Sequence, residues 1–412
     1  MNIKSTSLFL FLTTLLFTIS VNAMRTYESA SEFNAASILP AELLSGPNHR
    51  VGDRVQNDGY LNIYTIQSKY GEVQATSTSK LRKYIHEINA AARMEAVQGS
   101  DEFKSGIKEK AGDVVAGAKG LVTDPIGTVS GAVSGVSKLF SRGKENLFGG
   151  SRSDAEGSRL ADLSGFSKTK RDYAFEFGVD VYSRNKIMQK QLDDLARAGN
   201  TGTLVMSALL MAVPGAAGTA VTVTGSTELM NNVFRDTAPA DLRKLNRAKL
   251  ESMGVNKDIS DLFIKNANYT PREQTILVNA LASLKNTKKR SEYIKFAILT
   301  DDADMAFFRQ QQAQMYAGYN KTIKPVKEFI SIHEISVAKT SDNKIVFNVP
   351  LDYMVWTKGL EIVASTITQE VARMKDVTGR EIWVTGRFSP LAKETLEKFG
   401  WAVHEGSERL IN

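Results

Sequence analysis

Between Ala198 and Thr227 the chain runs for thirty residues without a charged side chain: AGNTGTLVMSALLMAVPGAAGTAVTVTGST. QKQLDDLAR precedes this stretch and ELMNNVFRD follows it, both strongly polar. Such a segment has to be withdrawn from water, into a protein core or a lipid bilayer. Its internal punctuation bears on the choice. Pro214-Gly215 divides it near the middle, and proline inside a helix removes a backbone hydrogen bond and clashes with the preceding turn. Each half alone is shorter than the ~20 residues a membrane span needs. Small residues recur at Ala208, Ala212, Ala216 and Ala220, a spacing that lets helix backbones approach closely. The expectation is a buried helix or helical hairpin inside a helical domain, with conditional membrane insertion as the alternative.

The first residues read as an address. Met1-Asn2-Ile3-Lys4 gives a positive start, Leu8 to Ser20 an apolar run, and Val21-Asn22-Ala23 a small-residue cleavage site. This is the pattern of a secretory signal peptide over 1–23, with the mature chain starting at Met24. The chain has no cysteine, which excludes a disulfide scaffold, thiolate metal sites, thiol nucleophiles and a lipidated cysteine after cleavage. A periplasmic or secreted bacterial protein is expected, with a location peripheral to a membrane as an option. The formal charge of +7 falls to +6 without Lys4, and the excess is spread over patches such as Arg243-Lys244 and Lys288-Lys289-Arg290. No nucleic-acid-binding module accompanies them, so the expected partners are a membrane surface or another envelope protein.

At 412 residues, 42% hydrophobic and 24% charged, the chain can fold as two or three domains. Met24 to Asp58 reads as a polar lead-in, helical only at Ala41-Glu42-Leu43-Leu44. Leu61, Ile63, Thr65 and Gln67 alternate with Tyr60, Asn62, Tyr64 and Ile66 before Tyr70-Gly71, which predicts a β-hairpin. Leu81, Tyr84, Ile85, Ile88 and Ala92 then share one helix face. In Gly106 to Phe140, Asp124-Pro125 opens a helix carrying Val129, Ala132, Val133, Val136, Leu139 and Phe140 at helical spacing. Gly127, Gly131 and Gly135 lie on the same helix. This stretch resembles the amphipathic Gly/Ala/Lys repeats of late-embryogenesis and apolipoprotein-like proteins, which implies an amphipathic helix against a core or a membrane surface. Residues 142–171, rich in Gly, Ser, Lys and Arg, read as a linker.

Tyr173, Phe175, Phe177, Val179 and Val181 alternate as in a strand or a hydrophobic loop, and a helix from Lys186 to Ala198 feeds the uncharged segment. The string Gly178-Val179-Asp180-Val181-Tyr182-Ser183-Arg184-Asn185, with Leu192-Asp193, is similar to exported proteobacterial proteins of uncharacterised function. That resemblance implies export and carries no activity. Thr270-Pro271-Arg272-Glu273 predicts a capped helix start, and another helix begins near Asp302. Beyond Ile323-Lys324-Pro325 the pattern changes. Phe329 to Val337 and Lys344 to Val349 read as strands joined by Ser341-Asp342-Asn343. A helix through Leu360 to Val371, a strand Glu381 to Thr385, a helix capped by Ser389-Pro390 and a strand Trp401 to His404 complete the chain.

The fold class is therefore α+β, mainly α, with an N-terminal β-hairpin and a central helical region around the buried hydrophobic segment. A small C-terminal α/β domain follows. The divisions are 24–141 (hairpin and amphipathic helical region), 142–171 (linker), 172–326 (helical, containing 198–227) and 327–412 (α/β).

Catalytic chemistry finds little footing. His86, His333 and His404 each precede a glutamate (Glu87, Glu334, Glu405), but neighbours in sequence need not face the same way and no H-E-x-x-H spacing occurs. Asp301, Asp302 and Asp304 suit a helix start, where acids meet the positive dipole end, better than a calcium loop. Ser77/Lys80, Ser141/Lys144 and Ser167/Lys170 match Ser-x-x-Lys without the companion motifs of penicillin-recognising enzymes. No catalytic, cofactor or metal residues are assigned. The most site-like stretch is a candidate anion-binding loop, Thr385, Gly386, Arg387 and Ser389, which joins a strand to a helix N-terminus. The expected function is that of a non-enzymatic envelope protein, membrane-associated or scaffolding. The alternatives are a toxin- or translocator-like protein inserting 198–227, and a hydrolase or ligand binder using the C-terminal domain.

Overall fold

Alternation along Asn62–Ser68 sets the first layer. The computed structural model describes residues 27–101, 103–104, 168–199 and 228–411. In it β5 (Asn62–Ser68) turns Tyr64 and Ile66 inward and pairs antiparallel with β6 (Gly71–Thr76), as the hairpin pattern predicts. Its other edge carries β3 (His49–Val51) and β4 (Arg54–Asn57), extended by β2 (Ser45–Gly46) and β1 (Glu32–Asn34). The stretch read as a lead-in thus builds most of a six-stranded sheet, with short helices α1 (Ala35–Ile38) and α2 (Ala41–Leu44) between its strands. Strands of two to four residues are too short to show a period, and pairing makes them strands, β3 and β4 on β5 directly and β2 and β1 on β3 and β4. Helix α3 (Thr78–Gly99) lays Leu81, Tyr84, Ile85 and Ile88 across this sheet.

The second half of α3 turns to a helical layer. Helices α4 (Lys168–Glu176), α5 (Lys186–Gly199) and α6 (Glu228–Asp236) share an apolar core with it, built on Met94, Tyr173, Phe177, Met188, Leu192, Leu195 and Phe234. The strand-like reading of Tyr173 to Phe177 is corrected here. Tyr173, Ala174 and Phe177 are buried at helical spacing, whereas Phe175 is half-buried under the Arg235 guanidinium. The last residues of the linker range, Lys168 to Arg171, are the first turn of α4. The 106–140 helix and 142–167 lie outside the described residues, as do 1–26. So does 198–227, apart from the backbone of Ala198 and Gly199 that closes α5.

Helices α7 (Pro239–Ser252), α8 (Lys257–Ile264), α9 (Pro271–Ser283), α10 (Arg290–Ile298) and α11 (Ala303–Thr322) follow. The Thr270 side chain accepts the Glu273 N–H while the Glu273 carboxylate accepts the Thr270 N–H, which fixes the start of α9.

A five-stranded sheet closes the chain in the order β13-β11-β9-β8-β7. The single strand expected over Phe329 to Val337 is instead a hairpin, β7 (Val326–Ile332) and β8 (Ile335–Thr340). It turns at His333, whose φ of 53° is left-handed. Strands β9 (Lys344–Val349), β11 (Gly379–Val384) and β13 (Ala402–His404) are parallel. Crossover helices α12 (Lys358–Ala372) and α13 (Pro390–Lys398) pack Leu360, Ala364, Ile367, Val371 and Leu396 on one face of the sheet. Helix α11 covers the other face with Tyr316 and Tyr319 over Phe329, Val346 and Trp383. A parallel pair, β10 (Tyr353–Met354) and β12 (Arg387–Phe388), caps the carboxyl end. The fold is α+β. Among the described residues no helix is long and apolar enough to cross a membrane.

Candidate functional site

One stripe of α3 is charged where burial would favour apolar residues. Lys80, Lys83 and Glu87 follow one another at helical spacing, and the connection from α4 to α5 folds over them. Gly178 starts that connection at a φ of 67°, a left-handed conformation suited to glycine. Its carbonyl lies 2.9 Å from His86 Nε2; a carbonyl can only accept, so the ring carries its proton there. Asp180 then accepts the Tyr182 N–H at 2.9 Å and the Lys83 ammonium at 2.9 Å. Glu87 is fully buried; it accepts the Ser183 hydroxyl at 2.9 Å and lies 3.4 Å from Lys83 Nζ. Ser183 in turn accepts the Asn185 N–H, and Asn185 accepts that of Ile187 at the start of α5.

The cluster reaches every neighbouring element. Arg272 of α9 is buried; it donates to Asn231 of α6 at 3.2 Å and stacks over Phe234. Arg184 donates to the Asn268 carbonyl at 2.5 Å and stands 3.9 Å from Glu273. Lys80 pairs with Asp304 in the first turn of α11. Burial works against the Lys83 charge, yet Asp180 and Glu87 outweigh it and hold its pKa above the usual lysine value. Burial likewise opposes the Asp180 carboxylate, but Lys83 and Arg272 pull its pKa below the ordinary range. For Glu87 burial prevails over Lys83 and its pKa is raised. Burial also lowers Arg272, against the attraction of Asp180 and Glu87. A cleft of about 10 Å³, bounded by Lys80, Lys83, Tyr84, Tyr182, Thr270 and Phe307, opens on this cluster. That volume admits about one water, which needs ~10–15 Å³. The arrangement is an ionic clamp: the loop ties to α3 and the start of α9, while Lys80 joins α3 to α11 and Arg272 joins α9 to α6.

The residues singled out from sequence are distributed elsewhere or take other roles. Ser77 caps α3 by accepting the Lys80 N–H, while the Lys80 ammonium turns away to Asp304, so the two form no dyad. Lys170 pairs with Asp193; Ser141, Lys144 and Ser167 lie outside the described residues. Asp302 caps α11 by accepting the Met305 N–H at 2.7 Å. His333 and Glu334 form the β7–β8 turn, and His404 stacks on Trp383 with ring centres 3.8 Å apart. Among the described residues no group of three or more His, Asp or Glu is placed to hold a metal ion.

In the candidate anion loop, the Thr385 hydroxyl and the Gly386 N–H both donate to the Leu351 carbonyl. The Arg387 N–H donates to Asp352 O, Phe388 N–H to Glu405 and Ser389 N–H to Met354 O. The Ser389 hydroxyl donates to Glu28 and accepts the Ala392 N–H. The loop's backbone donors from 386 to 389 are thus committed within the protein, and two carboxylates face it. Gly386 is required by close approach: a Cβ there would lie 1.8 Å from the Asp352 carbonyl oxygen.

Lys83, Asp180, Glu87, Arg272 and Glu273 were not legible as a group, because a Lys and a Glu four apart on a helix ordinarily read as a solvated pair. No protein-family model, curated protein or solved structure matches this chain.

Proposed function

We propose that this chain is an exported bacterial envelope protein without catalytic activity, a scaffold held at a membrane surface or by another envelope protein. In this reading it is mainly α-helical, with 198–227 packed as a buried element between α5 and α6. One observation supports it most. The two helices that flank the uncharged segment share a single apolar core with α3 and α4, and the ionic clamp ties that core to α9 and α11. Export rests on the Met1–Ala23 pattern, and membrane-surface attraction on the spread of positive charge. The clamp's acids and bases pair with one another beside a water-sized cleft, an arrangement suited to holding elements together.

Cell fractionation of the full chain tests this. The expected result is mature protein starting at Met24 in the envelope or periplasmic fraction, released by high salt or carbonate. Protein retained in the membrane after carbonate would contradict burial, and an intact Met1 start would contradict export. Insertion into anionic vesicles on acidification would favour the membrane-active alternative.

A further inference from the structure

Helix α11 carries the run Arg309-Gln310-Gln311-Gln312 into the interior, above β8 and β9. Arg309 is 3% exposed, and its guanidinium stacks 3.3 Å from the Phe296 ring centre. No carboxylate among the described residues pairs with it. Its surroundings are Tyr269, Tyr293 and Tyr316, and burial holds its pKa down at about 10 against their attraction. Nη1 donates to Gln312 Oε1 at 3.0 Å, and Gln312 Nε2 donates to the Asn348 carbonyl at 2.8 Å.

Buried polar atoms in native proteins are nearly always paired. Here Arg309 Nε, Ser336 Oγ and both side-chain atoms of Asn348 are buried without a hydrogen-bond partner among the described residues. Gln312 links Arg309 to the Asn348 backbone. The β8–β9 register sets Ala338 beside Val346, and two residues further along each strand, on the same face, stand Ser336 and Asn348. That is the face Gln312 and Tyr316 cover. One desolvated cation with hydroxyl and amide donors at hand is the chemistry that recognises an anion. The single positive charge matches one negative charge, and the burial of all four atoms favours a small ion.

We propose that Arg309, Ser336 and Asn348 form a buried site for one small monovalent inorganic anion of halide size. Chloride and bromide are the probes. The unfolding midpoint of the full chain is measured at constant ionic strength while glutamate is exchanged for chloride. A saturable rise with chloride is expected, as for any ligand that binds only the folded state. Gln312→Glu places a carboxylate against the guanidinium and should remove most of that rise, as should Arg309→Met if it folds. Bulk salt effects act on all variants alike, so a rise of equal size in Gln312→Glu overturns the proposal, as does a flat wild-type response. Crystals soaked in bromide should show anomalous density within contact distance of Arg309 Nε and Asn348 Nδ2. Water there, with no bromide, would show that stacking on Phe296 alone accommodates the cation.

Discussion

Asp352 joins the two sheets through its side chain. Its oxygens accept the Asn62 N–H at 2.9 Å and the Thr78 N–H at 3.0 Å, the second of these at the start of α3. Burial is the main cause of a pKa raised to about 6; the two N–H groups oppose it and nearby Asp58 adds to it. The sign follows from the raised value: the folded protein holds this proton more tightly than the unfolded chain. Its contribution to stability is full below about pH 4 and is lost as pH rises through about 6. At ~1.4 kcal/mol per pH unit of displacement the loss is at most ~3 kcal/mol. Denaturant titrations of wild type and Asp352→Asn from pH 4 to pH 7 should show wild type losing stability relative to the variant as pH rises. Parallel curves would contradict the assignment.

The loop between α4 and α5 has no regular structure of its own, yet its one carboxylate pairs with Lys83 of α3 and feels the charge of Arg272 on α9. Breaking one side of such a buried pair leaves an uncompensated charge and costs ~3–5 kcal/mol. Lys83→Met and Asp180→Asn should each destabilise by that order, and the double variant by clearly less than the two together. Additive losses in chemical denaturation would show that the two residues act separately. The elements that carry their own signal were readable from sequence: the β5–β6 hairpin by alternation, α9 by its capping box, α12 and α13 by period and cap. The misread ones depend on distant partners. Strands β3 and β4 exist through β5, and β2 and β1 through β3 and β4. Helix α4 hides its period because its inward positions include Lys170 and Arg171, which hydrophobic patterning reads as solvent-facing. The clamp combines residues from five separate stretches, and nothing in their local spacing predicts the meeting.

Across the whole molecule an early segment of the described chain meets the C-terminal region. Glu28 donates its N–H to the Trp356 carbonyl and accepts the Trp356 N–H and the Ser389 hydroxyl on its carboxylate. Helix α11 is continuous with the C-terminal core, and a Cβ at Gly318 would lie 2.1 Å from the Leu410 carbonyl oxygen. The division expected at Lys327 therefore passes through packed side chains, Tyr316 and Tyr319 against Phe329 and Trp383. Burial of 198–227 in protein is the central claim, and the absence of cysteine makes it directly measurable. In a Leu209→Cys chain, a water-soluble maleimide should react slowly with the native protein and fully in denaturant without detergent. An Arg50→Cys control, at a side chain 69% exposed, should react at once in both. Native labelling of Cys at 209 as fast as the control, or protection lost only when detergent dissolves the membrane, would contradict the account.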